Sequence, residues 1–372
     1  MEKELKGTMK ERLYSLDTLR GFDMFWIIGG EWFIVKLFEY TGWGWLDPIA
    51  TQMHHSHWAG FHFYDLIFPL FMFISGVAIP YALVSKKEKG VAKTELYKKI
   101  TRRMIILVVF GFIYNGMLKN GLTDLRMASV LGQIGIAYFL ASLISINTNS
   151  VMTRIYWVLG ILLGIAGFQL LVPVPGYGAG VLTAEGSINS WIDQNLLPGR
   201  LYQKITDPEG LLCIVSASSV TLIGAVAGTI LRRKTIAAER KATILLAGGA
   251  VLIALALMLS PFYPIVKKLW TVPFNLLTAG IGSVLLALFY FIIDVKKKRG
   301  WIFFFQVIGL NSITIYMGKE IIDFSYASEF IMGWTVQVFG KGAGELVLIT
   351  TIIAFEWLLL YYFYKNKIFL KV

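Results

Sequence analysis

Cysteine is all but missing: Cys213 stands alone in the chain, which excludes an internal disulfide framework and a thiolate metal cage. It lies in an apolar run, where a free cysteine ordinarily packs as a small buried side chain. Charge is scarce as well. Only 16% of the residues are Asp, Glu, Lys or Arg, against about 25% in soluble domains, so a soluble globular fold is disfavoured. The first twenty residues, MEKELKGTMKERLYSLDTLR, lack the apolar core of a signal peptide. No fixed period of repetition is present, which disfavours the repeat-built transporters. Histidine is limited to four residues.

In place of these the chain has apolar length. Hydrophobic residues make up 56% of it, with a mean hydropathy of +0.65. They fall in blocks at 19–38, 61–84, 104–118, 128–146, 155–172, 211–231, 244–259, 270–293, 303–322 and 346–364. Several approach the roughly 20 residues of an upright membrane-spanning helix. The pattern predicts an all-α, polytopic membrane protein of about 10 transmembrane helices, folded as one transmembrane domain over 1–372, with a further short helix at 330–339.

The net charge of +12 fits topology rather than nucleic acid, which is not an expected partner. With the N-terminus inside, the inner segments hold 26 of the 35 Lys and Arg residues. The positive-inside rule therefore predicts that both termini are cytoplasmic. Two long outer segments follow, 39–60 and 173–210, of the length that often serves as a binding surface.

Of the four histidines, His54, His55 and His57 sit in the first of these outer segments and His62 just past it, all shortly before a carboxylate, Asp65. A helix running from His54 into the second span would place His55, Trp58, His62 and Asp65 on one face. His62 and Asp65 could then share a hydrogen bond, with the carboxylate orienting an imidazole. The bland reading is interfacial anchoring. A zinc site is a third reading, but HHxH lacks a second ligand cluster and no metal is expected.

At the other end of the first span, Asp17, Arg20 and Asp23 recur at +3 and +6. They read either as a salt-bridged helix start or as a place where the Arg20 fork holds an anionic ligand. Glu31, deeper in the span, should face a cavity or a partner. Asp207, Pro208, Glu209 and Gly210 read as a helix start with acidic caps. Lys267, Lys268 and Trp270 read as snorkelling and an aromatic belt. Asn311 and Ser312 suit interhelical hydrogen bonding, with Lys319 and Glu320 near the end of that span.

Together RLYSLDTLRGFDM, HSHWAGFHFYDLIFPLFMFISG, VLGQIGIAYFLAS, TDPEGLLCIVSA, KKLWTVPFNLLTAG and GLNSITIYMGKE resemble, in order, the heparan-α-glucosaminide N-acetyltransferase family of transmembrane acyltransferases and its bacterial relatives. The resemblance implies acetyl transfer from cytoplasmic acetyl-CoA to the amine of a terminal glucosamine beyond the membrane. It puts the family's important histidine at His55 and its aspartate at Asp65; the reading of the residues themselves adds His62 as the imidazole through which Asp65 could act. Donor-binding positions would be Arg20, Asp17, Asn311 and the paired Gly29 and Gly30. Acceptor-binding positions would be Trp58, Glu31, Asp207, Glu209 and Lys267. Two positions differ from the family pattern: no Asn precedes Gly29–Gly30, and Pro264-Ile265-Val266-Lys267 stands where P-x-N-K is usual. The expected setting is a bacterial inner membrane, with the histidines on the extracytoplasmic side and a homodimer compatible with the reading. The rivals are a sugar or anion transporter with a His/Asp proton relay, and an O-acyltransferase acting on a cell-surface polysaccharide.

Overall fold

The computed structural model describes residues 13–121, 124–202 and 204–370. The segments 1–12 and 371–372, on which the expectation for the termini partly rests, lie outside the described residues. Within the described residues the chain is all-helical, with only three isolated β-bridges between loops. The principal helices in chain order are α1 (Tyr14–Phe25), α2 (Glu31–Thr41), α3 (Phe63–Glu88), α4 (Lys93–Tyr114), α5 (Val130–Asn147), α6 (Val151–Leu171) and α7 (Ile188–Leu196). After these come α8 (Leu211–Arg232), α9 (Ala238–Leu259), α10 (Val272–Val295), α11 (Ile302–Leu310), α12 (Ser312–Ile321), α13 (Phe324–Met332) and α14 (Lys341–Lys365).

Seven of the described helices are long and apolar enough to cross a membrane: α3, α5, α6, α8, α9, α10 and α14. The α11–α12 pair, bent by 67° at Asn311, makes an eighth if it is one broken span. The other two expected positions are occupied by helices that carry charge. Helix α4 starts eleven residues before its predicted block and brings Lys93, Lys98, Lys99, Arg102 and Arg103 with it. The first expected span is not one helix either. A wide π turn, Trp26–Gly30, separates α1 from α2, and Gly29 adopts φ 130° there, a conformation that a side chain resists. The expected helix at 330–339 divides at Gly333 between α13 and the short Trp334–Phe339 helix. The long 173–210 segment contains α7, whose N-cap Ser187 accepts from Ser190 N–H.

Helices α3 and α8 form the centre, each 72% buried over its most apolar stretch, while α14 is 11% buried and faces outward. Their approach depends on small residues, as expected where lipid removes any hydrophobic gain from helix association. A Cβ on Gly76 would overlap the Thr221 carbonyl, and one on Gly224 or Gly228 would overlap the carbonyls of Phe73 and Val77. Gly224 and Gly228 form a G-x-x-x-G pair on the contact face of α8.

The cation-rich segments converge at one end of the bundle. Lys87 bonds Asn149 and Lys93 bonds Asn147, Arg232 pairs with Glu88, and Lys296 pairs with Glu239 at 3.2 Å. The histidine segment lies at the opposite end with 173–210: Trp58 donates to the Leu182 carbonyl at 2.8 Å.

Two predictions follow from this packing. Replacing Gly76 with Leu should lower stability by about 1–3 kcal/mol through overpacking, read as a fall in the thermal unfolding midpoint in detergent. Gly248→Leu, whose Cβ would meet nothing within 4 Å, should leave the midpoint unchanged; equal effects would refute a backbone contact between α3 and α8. The second concerns Asp193 on α7, which caps Leu211 N–H at 2.9 Å and whose carboxyl is pushed up to about 7 by burial. Its unfolded value is near ~4, so its contribution is full below that pH and is lost as the pH rises through about 7. Asp193→Asn should therefore flatten the decline of the unfolding midpoint across this interval.

Candidate active site

The site is organised by the entrance to α3. The expected helix from His54 does not form. Residues 53–62 are a looped segment, because His62 is extended (φ −111°, ψ 161°) and caps the helix that begins at Phe63. Asp65, in the first turn, is fully buried and reaches back: its Oδ2 accepts from His62 N–H at 3.0 Å and from Ser56 N–H at 3.1 Å. Its Oδ1 lies 2.9 Å from His55 Nδ1 and 3.3 Å from Lys267 Nζ. The histidine loop is pinned to the segment before α10 by an antiparallel bridge between Ala59 and Val266 and by Gly60 N–H to Ile265 O at 2.9 Å. That pairing brings Lys267, distant in sequence, to 2.9 Å from His55 Nδ1.

His55 is the exposed member of this trio, its side chain 53% accessible against 0% for Asp65. When Nδ1–H donates to Asp65, Nε2 keeps its lone pair, with Lys267 Nζ 3.4 Å away, the arrangement that lets a carboxylate orient a general base or nucleophile. Burial pushes the Lys267 ammonium down from the usual lysine range, with Asp65 opposing. The His55 ring packs against Tyr64 at 4.9 Å between centroids, and the Tyr64 hydroxyl donates to Glu31 Oε1 at 3.1 Å.

These groups line an outer cavity of about 760 Å³ with His57, Trp58, Tyr114, Arg126, Glu209 and Tyr316. Arg126 is its fixed cation. Its Nε donates to Asp207 Oδ2 at 2.8 Å, it pairs with Glu209, and it lies over the Tyr202 ring. Burial pushes the Glu209 carboxyl up from the usual carboxylate range, with Arg126 opposing.

A second cavity, of about 660 Å³, opens at the cation-rich end. Arg20, Lys99, Arg102 and Arg103 line it, together with Asn311 at the break and Ser312 and Thr314 in the first turn of α12. Both side-chain atoms of Asn311, the Thr314 hydroxyl and Arg103 Nε are buried without a hydrogen-bond partner in the protein, although buried polar groups are normally paired. The two cavities have the same walls. On α3, Asp65 and Phe68 face the outer one, while Phe71, Ser75, Ala78 and Ala82 face the inner one. Helix α4 contributes Tyr114 above and Arg103 below, and α12 contributes Tyr316 above and Ser312 below.

Of the residues singled out from sequence, His55, Asp65, Trp58, Glu31, Glu209 and Lys267 meet in the outer cavity, and Arg20 and Asn311 in the inner one. Asp207 stands behind the outer wall as the partner of Arg126. The His62 ring turns away to the His54 carbonyl at 3.0 Å and gives the site only its amide. Asp17 lies 3.6 Å from Arg20 without lining either cavity. Gly29 lines a separate cavity with Trp32, Lys319 and Glu356, and Gly30 packs on Phe25. Sequence reasoning passed over Tyr64, Tyr114, Arg126, Tyr202 and Tyr316 above, and below it expected inner-loop cations beside Arg20 without singling out Lys99, Arg102 and Arg103.

The arrangement is that of a helical membrane protein with a cavity toward each end, an imidazole beside a buried carboxylate in one and a cluster of cations in the other. The first part of the chain, residues 12–166, matches a family described as a domain of unknown function, DUF5009. Over nearly its whole length the chain is similar to heparan-alpha-glucosaminide N-acetyltransferases. The Homo sapiens protein is 26% identical over 98% of this chain and 61% of its own length. The Mus musculus protein is 25% identical over 99% of this chain and 62% of its own. The resemblance read from the motifs is thus matched across the chain, which spans about three fifths of the length of these relatives.

The ionic core makes its own prediction. Asp65→Asn and Lys267→Met should each destabilise by about 1–3 kcal/mol, because each leaves a buried charge or donor unpaired. The double variant should be less harmful than the sum, with a coupling of about 0.5–3 kcal/mol from denaturant unfolding. Strict additivity would refute a shared ionic unit.

Proposed function

We propose that this chain is a transmembrane N-acetyltransferase, moving an acetyl group from cytoplasmic acetyl-CoA to the amine of a glucosamine-type sugar on the other side of an inner membrane. One observation carries the reading: an inner cavity lined by cations and an outer cavity holding His55 share the walls α3, α4 and α12. A donor with phosphates and a reactive thioester needs cations at one end and a base at the other. Curated relatives named as N-acetyltransferases support the same reading. It takes the chain as crossing the membrane about ten times, with α1–α2 and α4 as the charged passes, and with the cation-rich end cytoplasmic.

Arg20, Lys99, Arg102 and Arg103 would hold the donor's phosphates, for which guanidinium forks are suited, and Asn311 and Thr314 would satisfy polar groups of its arm. Acetyl-CoA supplies the activated acetyl carbonyl. In the outer cavity Glu209 and Glu31 suit the acceptor's ammonium, and Trp58 the sugar's apolar face. An ammonium cannot attack, so His55 Nε2 takes the proton that frees the amine, or itself carries the acetyl group between donor and acceptor. Asp65 fixes the ring through Nδ1 in either role. Lys267 places positive charge where the carbonyl oxygen becomes negative. The amine ends as an amide, the donor's sulfur takes up a proton as the free thiol, and one proton is released overall.

The deciding assay follows labelled acetyl from acetyl-CoA into glucosamine in purified protein. His55→Ala should lower the rate by about 10²–10⁴-fold with an unchanged unfolding midpoint, since the side chain is half-exposed. Wild-type transfer by that variant would overturn the reading of the site. Failure of acetyl-CoA to bind the wild-type protein would overturn the reading of the chain. Acetyl label retained on wild-type protein without acceptor, and absent from the variant, would select the carrier role over the base.

A further inference from the structure

Helix α4 carries a feature apart from its part in walling the inner cavity. Its cations all lie between Lys93 and Arg103, and from Met104 to Tyr114 no charge follows. With α4 taken as a membrane pass, as in the reading above, this switch puts the level of lipid phosphates beside residues 98–103, whichever side of the membrane that end occupies. The helix buries Leu96, Ile100, Leu107 and Gly111. On another side, Thr94, Lys98, Thr101, Arg102 and Ile105 follow at +4, +7, +8 and +11, a single stripe of neighbours. They border an open groove of about 540 Å³. Its lower part presents Lys98 and Arg102 with the hydroxyls of Thr94 and Thr101, and its upper part Ile105 and Ile106. Ile105 is 53% exposed and Val109, one turn further on, 41%, so the apolar strip continues into the hydrocarbon.

We infer that this groove is a binding site for one anionic phospholipid, its phosphate held by Lys98 and Arg102 and one acyl chain lying along Ile105 and Val109. The complementarity lies in charge and in order. Two cations and two hydroxyl donors are followed along the same stripe by apolar side chains, as a phosphodiester is followed by its chains. A zwitterionic headgroup would bring its own ammonium against Lys98, so the site favours net negative lipids. A soluble phosphate compound would engage the cations and leave the strip uncovered. Arg102 lines both the groove and the inner cavity, so the lipid would sit at the rim of that cavity. The inference stands whether or not the chain transfers acetyl groups.

The test uses the full chain in nanodiscs of phosphatidylcholine alone or mixed with phosphatidylglycerol. The unfolding midpoint is read by tryptophan fluorescence, and retained lipid by native mass spectrometry after transfer to detergent. One phosphatidylglycerol should be retained per chain, and the midpoint should rise with its mole fraction. Lys98→Gln should weaken that dependence about fivefold, the effect of one cation at an anionic surface. Lys234→Gln, an exposed cation elsewhere, should leave it unchanged. Equal effects of the two substitutions would reduce the binding to diffuse surface charge and overturn the site. So would inorganic phosphate or pyrophosphate matching the stabilisation by lipid, or phosphatidylcholine being retained as well as phosphatidylglycerol.

Discussion

The buried carboxylate of Asp65 is the constraint on which the outer half of the molecule turns. A carboxylate without water must find donors or give up its charge. This one gathers donors from three places: two amides of the loop that it closes, the His55 ring, and Lys267 from the segment before α10. Each contact has a structural consequence. The His62 amide starts α3, the Ser56 amide folds the histidine segment back over that start, and the two side chains set the chemistry. A protonated Asp65 would lose the reason for all four at once.

The same demand for partners explains why the long helices are interrupted where they are. At the π turn, Gly29 leaves the regular helix and the Ile27 carbonyl is free to accept from Lys319 Nζ at 2.8 Å. At Asn311, the α11–α12 break leaves an amide side chain with no partner, buried against the inner cavity. Irregular backbone at membrane depth is tolerated only where protein or a cavity satisfies it. Here both interruptions border cavities. The closely packed glycines of α3 and α8 do the opposite work, holding the central pair together without polar groups.

The broad architecture was legible from the sequence because hydrophobic length is a strong and local signal. It placed the apolar blocks well but did not show where helices are broken or lengthened within them, in α1–α2, α4 and α11–α12. The site was legible in part for the same reason. His55, Asp65 and Arg20 sit inside compact motifs, so chain order located them. The partnership was misjudged: spacing favoured His62 for Asp65, whereas a loop that turns back on a helix start gives the ring contact to His55. Periodicity describes helices and has nothing to say about such a loop. Lys267 comes from 212 residues further along the chain, and only the pairing of Ala59 with Val266 brings it in.

One signal for the missed residues was present in the sequence. Nine Lys and Arg residues fall outside the inner segments that the positive-inside rule accounts for, and four of them, Arg126, Lys267, Lys268 and Lys319, line the outer cavity. A cation on the unfavoured side of a membrane has no topological reason to be there. Those that stand beside an apolar block need a local counter-charge, and here Asp65, Asp207 and Glu209 supply it. Cations that a topology rule leaves unexplained therefore mark the site about as well as the histidines, of which His55 and His57 line it. Histidines are at home in any interface, whereas a largely buried arginine paired with two acids is not explained by interfacial anchoring.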